Sequence, residues 1–469
     1  MDRPTFGVIV GNRDFFPDRL VTEGRVEILS VLESLGIDVV VLDEQATNLG
    51  ATETWADAQR CADLFRANRD RIDGILVTLP NFGDEKGASD TIRLADLGVP
   101  VLVQATPDDP KRMGLDRRRD SFCGKISVCN NLVQNKIPFS LTTRHTVRPD
   151  SDEFRADLRR FVAVCRTVKG LRHARLGLVG ARPNAFRTVR FSEKLLQAAG
   201  ITVTTIDLSD VYGAASKLAV TDARVKAKLE QLAAYVDTNA VPEHPLHQMA
   251  RLAAVLDEWM VEYGLQATAL QCWSSMQENF GINACGVMSL MSQNLLPSAC
   301  ETDLTGAVAM YALQLASGRP SALVDWNNNF GDDPNKCVFF HCGNWAKEFA
   351  SDATIGVAEI QATTLGREHT YGGLSGHANA GPITYARVST DDHQGRIRAI
   401  VGEGRFTDDR LDTFGMTGVV EIPRLQDLLA YICRNGFEHH VAMSASRVSE
   451  VVAEAVGTYL GWDLYRHVG

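Results

Sequence analysis

The first stretch of the chain alternates short apolar runs with helical patterns. FGVIV is followed by a periodic segment from about Leu20, then DVVVL, a helix over 56–68, GILVTL and PVLVQA. Short apolar strands alternating with helices predict βαβ units and a mostly parallel sheet. The polar connection Arg148-Pro149-Asp150-Ser151-Asp152 and a helix to about Val168 lead out of this unit, so residues 1–168 are expected to form an amino-terminal α/β domain. ARLGLVG, a helix over 187–199, ITVTTID, ATALQC, SALVDW and CVFFH repeat the pattern and predict a second Rossmann-like domain over 169–349. From about Ala350 the long helices disappear. TIGVAEIQA, ITYARVS, GRIRAIVGEGRF and GVVEI carry β-propensity and predict an antiparallel sheet or barrel over 350–469, closed by a last helix over 446–460. The fold class is therefore α/β: two Rossmann-like parallel-sheet domains followed by a mostly antiparallel β-rich carboxyl-terminal domain.

Composition narrows the function classes. A chain of 469 residues with 45% hydrophobic and 23% charged positions can bury a large core and is expected to be an ordinary soluble globular protein. The net charge of −10, without a long basic block, speaks against a nucleic-acid partner. The amino terminus enters a strand directly, and no apolar stretch reaches the length of a bilayer span, so no membrane role is expected. The ten cysteines are scattered, with no CxxC pair, and are expected to be reduced structural thiols of a cytoplasmic enzyme.

Candidate chemistry gathers at strand ends. Glu301 stands in ACETDLTGAVAM at the start of a long helix, Asp325 ends SALVDW, His341 ends CVFFH, and His440 lies in GFEHHVAMS beside a final strand. Two carboxylates with imidazole form a mixed oxygen and nitrogen donor set that suits Mn²⁺, Co²⁺ or Mg²⁺ better than a structural zinc. Taken singly, each has a plainer reading: a helix cap for Glu301, an Asx turn for Asp325, a packed core histidine for His341 and a surface histidine near a sheet edge for His440.

The segments DGILVTLPNFGDE, DSFCGKISVCNNLVQNKIPF, LGLVGARPNAFRTVRFSEKLL, CETDLTGAVAM, DWNNNF and FHCGNW resemble the shorter members of the L-fucose/L-arabinose isomerase superfamily, in the same order and over nearly the whole chain. The resemblance implies a metal-dependent aldose–ketose isomerase with a divalent cation, Mn²⁺ favoured. Glu301 and Asp325 would be both metal ligands and acid/base groups, with His440 completing the set. His341 resembles a further ligand of the arabinose branch, whereas the aspartate at 325 resembles the fucose branch. The resemblance also implies a closed homo-oligomer, a trimer or hexamer, in which an amino-terminal arginine region, here Arg13, approaches the sugar of a neighbouring subunit.

Further sugar contacts are expected at Trp273 and Gln277, beyond the strand ATALQC, at Asn327 and Asn344, and at His377 in the Gly-rich loop GGLSGHANAGP. The substrate is expected to be an open-chain monosaccharide such as fucose, arabinose, another 6-deoxy sugar or a 6-sulfonated one. Arg13, Lys86 and Arg187 are the candidate readers of an anionic substituent. Two rival readings remain. A nicotinamide dehydrogenase is disfavoured because LGLVGARPNAF lacks GxGxxG. A non-catalytic sugar-binding protein is disfavoured by the acidic and histidine set.

Overall fold

The computed structural model describes residues 3–469 and divides into two compact units, one running through Lys169 and joined by Glu454–Gly461, the other made of Gly170–Ala453 and Trp462–Gly469. In the first unit β1 (Thr5–Val10), β2 (Asp38–Val41), β3 (Gly74–Leu79), β4 (Val101–Ala105) and β5 (Ser140–Leu141) form a parallel sheet in the order β2-β1-β3-β4-β5. That order is doubly wound, with helices covering both faces. The period-2 side-chain alternation of a strand then divides the core. Phe6, Val8, Val10 and Leu76 pack into one hydrophobic cluster, and Ile9, Ile75, Val77 and Leu79 into another.

The second unit holds a smaller parallel sheet of β6 (Arg175–Val179), β7 (Thr202–Ile206), β8 (Ala267–Leu270) and β9 (Ser298–Ala299), in the order β7-β6-β8-β9. The remaining strands are β10 (Ser321–Asn329), β11 (Lys336–His341), β12 (Thr354–Val357), β13 (Tyr371–His377), β14 (Gly381–Asp391), β15 (Arg396–Phe406), β16 (Met416–Glu421), β17 (His440–Ser444) and β18 (Asp463–Arg466). They form one mostly antiparallel sheet in which β16-β11-β10-β17-β14-β15 closes on itself through pairing of Arg405 with Glu421 and Phe406 with Val420. Closure into a barrel removes the exposed edges that a long antiparallel sheet would present.

Several sequence expectations are corrected here. SALVDW and CVFFH do not extend the second parallel sheet; as β10 and β11 they pair antiparallel with each other inside the barrel. The helix expected over 187–199 shrinks to Glu193–Ala198 after a single 3-10 turn at Arg187–Val189. The last helix over 446–460 becomes Ser449–Ala453 followed by a π-helical turn Glu454–Tyr459, and it does not close the chain, because β18 follows. The stretch taken for a Gly-rich loop is largely strand β13. Its Gly372 has φ +117°, and a Cβ there would stand 2.1 Å from the Asn283 carbonyl oxygen, so glycine serves a close backbone approach rather than a turn.

The helix Leu304–Ser317 connects the two sheets of the second unit. It is apolar around nearly its whole circumference and packs against β8 and β9 as well as β10, β14 and β17. A helix hydrophobic all round is expected only where it is buried on every side. Among the described residues, no helix is long and apolar enough to cross a membrane.

Packing in the first unit gives a sharp test at Gly124 in the helix Ser121–Gln134, where a Cβ would fall 1.8 Å from the Phe82 carbonyl oxygen. Gly124→Ala is expected to destabilise the protein by about 1–3 kcal/mol through overpacking, read by urea unfolding. An unchanged midpoint would contradict this packing.

Candidate active site

The carboxyl ends of β8, β9 and β11 and the barrel strand β10 converge on one cavity of about 390 Å³, whose lining includes Phe186, Trp273, Glu301, Asp325, His341, Cys342 and Gln361. Glu301 is not the helix cap that its position allowed. It precedes the helix Leu304–Ser317, and the cap is Asp303, whose side chain accepts from the Gly306 amide at 2.9 Å. Glu301 and Thr302 both adopt left-handed backbone, each with φ 55°. Such conformations cost about 1–3 kcal/mol per residue and persist where the surroundings impose them. Here the Thr302 amide donates to the Leu270 carbonyl and the Asp303 amide to the Cys300 carbonyl, which ties the turn to the parallel sheet.

His440 is likewise not at the surface. It is the first residue of β17 and is 1% exposed. Its Nδ1 lies 2.9 Å from Asp303 Oδ2, and its Nε2 stands 3.0 Å from Glu301 Oε2 and 3.4 Å from Asp325 Oδ1. Asp303 is in turn held by Arg387 of β14, whose guanidinium also donates to Thr305 at 2.9 Å and to Glu438 at 2.9 Å. Glu438 accepts from Ser389 at 2.8 Å, so every charge in this buried group has a partner.

These contacts set the electrostatics. Burial raises the carboxyl of Asp303, but the Arg387 and His440 charges outweigh it and hold the group well below the usual carboxylate range. Burial also works against a charged His440, yet its bond to Asp303 and the nearby Glu301 carboxylate carry it up to about 10. The two cavity carboxylates diverge. Glu301, although desolvated, is lowered by the adjoining His440 imidazole, whereas Asp325 is raised, chiefly by burial. Carboxylates with opposed shifts suit a site that keeps one group ionised and lets another exchange a proton.

The donor set fits a divalent cation. Glu301 Oε2 is buried and has no hydrogen-bond partner, although His440 Nε2 is close, so the two ligand-type atoms face a common space without satisfying each other. Glu301, His341 and His440 each offer one atom within 4.8 Å of the others, and Asp325, His439 and His440 do the same. His440 with its Nδ1 on a buried carboxylate has the arrangement that orients a metal-binding imidazole. The sequence reading missed Asp303, Arg387, Glu438, Phe186 and His439. Only Asp303 had a local signal, an acidic residue three positions before Gly306 at a helix start.

The other expected residues divide. Trp273 Nε1 donates to Glu301 Oε1 at 3.2 Å, and its ring meets Phe186 edge-on at 5.3 Å. Gln277 is buried and donates to the Cys272 carbonyl at 2.9 Å and to Gln361 at 3.3 Å. Asn344 is buried and donates to the Ser298 carbonyl at 3.2 Å, while Asn327 is exposed on β10. His377 has both ring nitrogens engaged, with Asp352 at 3.1 Å and the Leu411 carbonyl at 3.1 Å, and does not line the cavity. Arg13 belongs to the first unit, where it pairs with Glu85 at 2.6 Å and lies over the Phe82 ring.

Residues 7–172 match the fucose/sulfoquinovose isomerase amino-terminal domain, and residues 339–467 match the L-fucose isomerase carboxyl-terminal domain. The chain is 26% identical to a sulfoquinovose isomerase of Alkalicoccus urumqiensis over 360 residues, covering 76% of this chain and 78% of that protein. It is also 26% identical to a sulfoquinovose isomerase of Priestia aryabhattai, over 76% of this chain and 77% of that protein. The fold and these matches define an aldose–ketose isomerase. The chain belongs to the fucose-isomerase-like family.

Removing the Asp303 carboxylate leaves Arg387 and His440 buried with fewer counter-charges and removes the helix cap. Asp303→Ala is expected to lower unfolding stability by about 3–5 kcal/mol in urea. A loss below about 1 kcal/mol would mean that this network holds nothing together.

Proposed function

We propose that the chain interconverts an open-chain aldose and its ketose through an enediol, in the cavity lined by Glu301 and Asp325, against which His440 is buried. The observation that carries the proposal is the unpartnered, buried Glu301 Oε2 facing His440 Nε2 at 3.0 Å, with Asp325 Oδ1 3.4 Å from the same nitrogen. Glu301, Asp325 and His440 would hold a divalent cation, with His341 as a further ligand; oxygen and imidazole donors favour Mn²⁺. When bound, such a cation polarises the sugar carbonyl and stabilises the negative charge that develops on its oxygens.

The chain's own groups supply the rest. One carboxylate of the Glu301 and Asp325 pair takes the proton from the sugar carbon and returns it to the neighbouring carbon, and the other serves the hydroxyl proton. Asp303 keeps the His440 ring oriented, with Nε2 directed into the site. The rings of Trp273 and Phe186 provide the apolar wall against which a sugar face can stack and from which water is excluded.

The substrate we favour is a 6-sulfonated or 6-deoxy sugar, sulfoquinovose first, as in the relatives. Arg187 supports the anionic choice. It follows Phe186 directly and lines a neighbouring groove of about 900 Å³ together with Arg182, Arg190 and Arg398. The resemblance further supports a trimer or hexamer, with Arg13 offered to another subunit. Ten unpaired cysteines suit a reducing cytoplasm.

Turnover of sulfoquinovose in D₂O tests the reading. Chelation is expected to abolish it, Mn²⁺ to restore it, and the product to carry solvent deuterium at C1. Full activity in protein shown to be metal-free by elemental analysis, or complete retention of the substrate C2 hydrogen over many turnovers, would overturn the proposal.

A further inference from the structure

Behind the cavity the fold gathers four thiols that the sugar chemistry does not use. Cys272 follows β8, Cys300 follows β9, Cys342 follows β11, and Cys285 begins the helix Cys285–Gln293. Cys272 and Cys300 touch, with sulphurs 2.7 Å apart, and Cys285 and Cys342 lie at 3.3 Å. Cys342 Sγ is also 3.7 Å from His341 Nδ1. All four are free thiols; three are buried, and Cys342 lines the cavity, which gives a path to solvent. Four cysteines distant in sequence have been brought to one point by three strand ends and one helix start.

We infer that Cys285, Cys300 and His341, with Cys342 as fourth donor, form a second metal site that takes a soft divalent ion of the zinc and cadmium class. Cys285, Cys300 and His341 each present one donor atom within 4.8 Å of the others. A tetrahedral ion with metal–sulphur bonds of about 2.3 Å needs sulphurs about 3.8 Å apart, so small side-chain adjustments would complete the shell. Thiolate donors select soft ions, whereas the carboxylates on the other side of His341 select hard ones. Each ligating thiol gives up its proton to solvent as its sulphur binds the metal, so uptake releases protons. Cys285 opens its helix, where the positive end of the helix dipole favours the negative charge that ligation creates.

His341 belongs to both donor sets. A soft ion bound by the thiols therefore draws on a group at the edge of the sugar site, and it is expected to inhibit turnover without being displaced by excess Mn²⁺. The thiol site itself does not depend on the sugar reading, because binding can be read without activity.

The test uses the reduced full-length protein titrated with Cd²⁺. A thiolate-to-cadmium charge-transfer band saturating at one ion per chain is expected, kept when the exposed Cys123 and Cys433 are both replaced by serine and lost in Cys300→Ala. Cadmium-edge X-ray absorption on the unmodified protein provides a reading that needs no variant. Three sulphur neighbours and one nitrogen are expected. Absence of the band, its persistence in folded Cys300→Ala, or a shell of oxygen and nitrogen alone would overturn the site.

Discussion

The Asp303 carboxylate is the contact on which the second unit depends, because it ties three distant parts of the chain together. It caps the central helix at Gly306, receives His440 from the barrel, and is neutralised by Arg387 from the neighbouring barrel strand. An isolated carboxylate at this depth would be prohibitively expensive, so the guanidinium is required before the histidine can be oriented at all. Arg387 in turn needs Glu438, two residues before His440 and locked by Ser389. Positioning of the imidazole is thus built into the joint between parallel sheet and barrel.

The same joint explains the left-handed backbone at Glu301 and Thr302. The chain leaves β9, must turn back toward the barrel, and must start a buried helix within a few residues. Two successive left-handed residues accomplish the turn and leave the Glu301 side chain facing His440 while Asp303 points to the other ring nitrogen. One short segment therefore supplies both the group that faces the cavity and the group that supports the imidazole from behind.

Much of this was legible in the sequence where the signal is local. Most strands of the two parallel sheets announce themselves as short apolar runs between helical periods, although the two-residue β5 and β9 do not; Glu301, Asp325 and His341 line one cavity, with His440 buried against Glu301 and Asp325. What stayed hidden depends on pairing at long range. SALVDW reads equally well as a parallel or an antiparallel strand, and only its register against β17, with Asp325 opposite His440, decides the matter. Arg387 carries no local signal in its β-rich segment, because its partners lie 84 and 51 positions away. The glycines of β13 suggested a loop because close backbone packing leaves no hydrophobic trace.

Glu301, Asp325 and His440 are proposed to face one cation. Crystals grown with Mn²⁺ and measured near the manganese absorption edge would locate the ion directly. A single anomalous peak bonded by Glu301, Asp325 and His440 Nε2, with Nδ1 still on Asp303, is the predicted result. A peak elsewhere, or none at saturating Mn²⁺ in active protein, would contradict it.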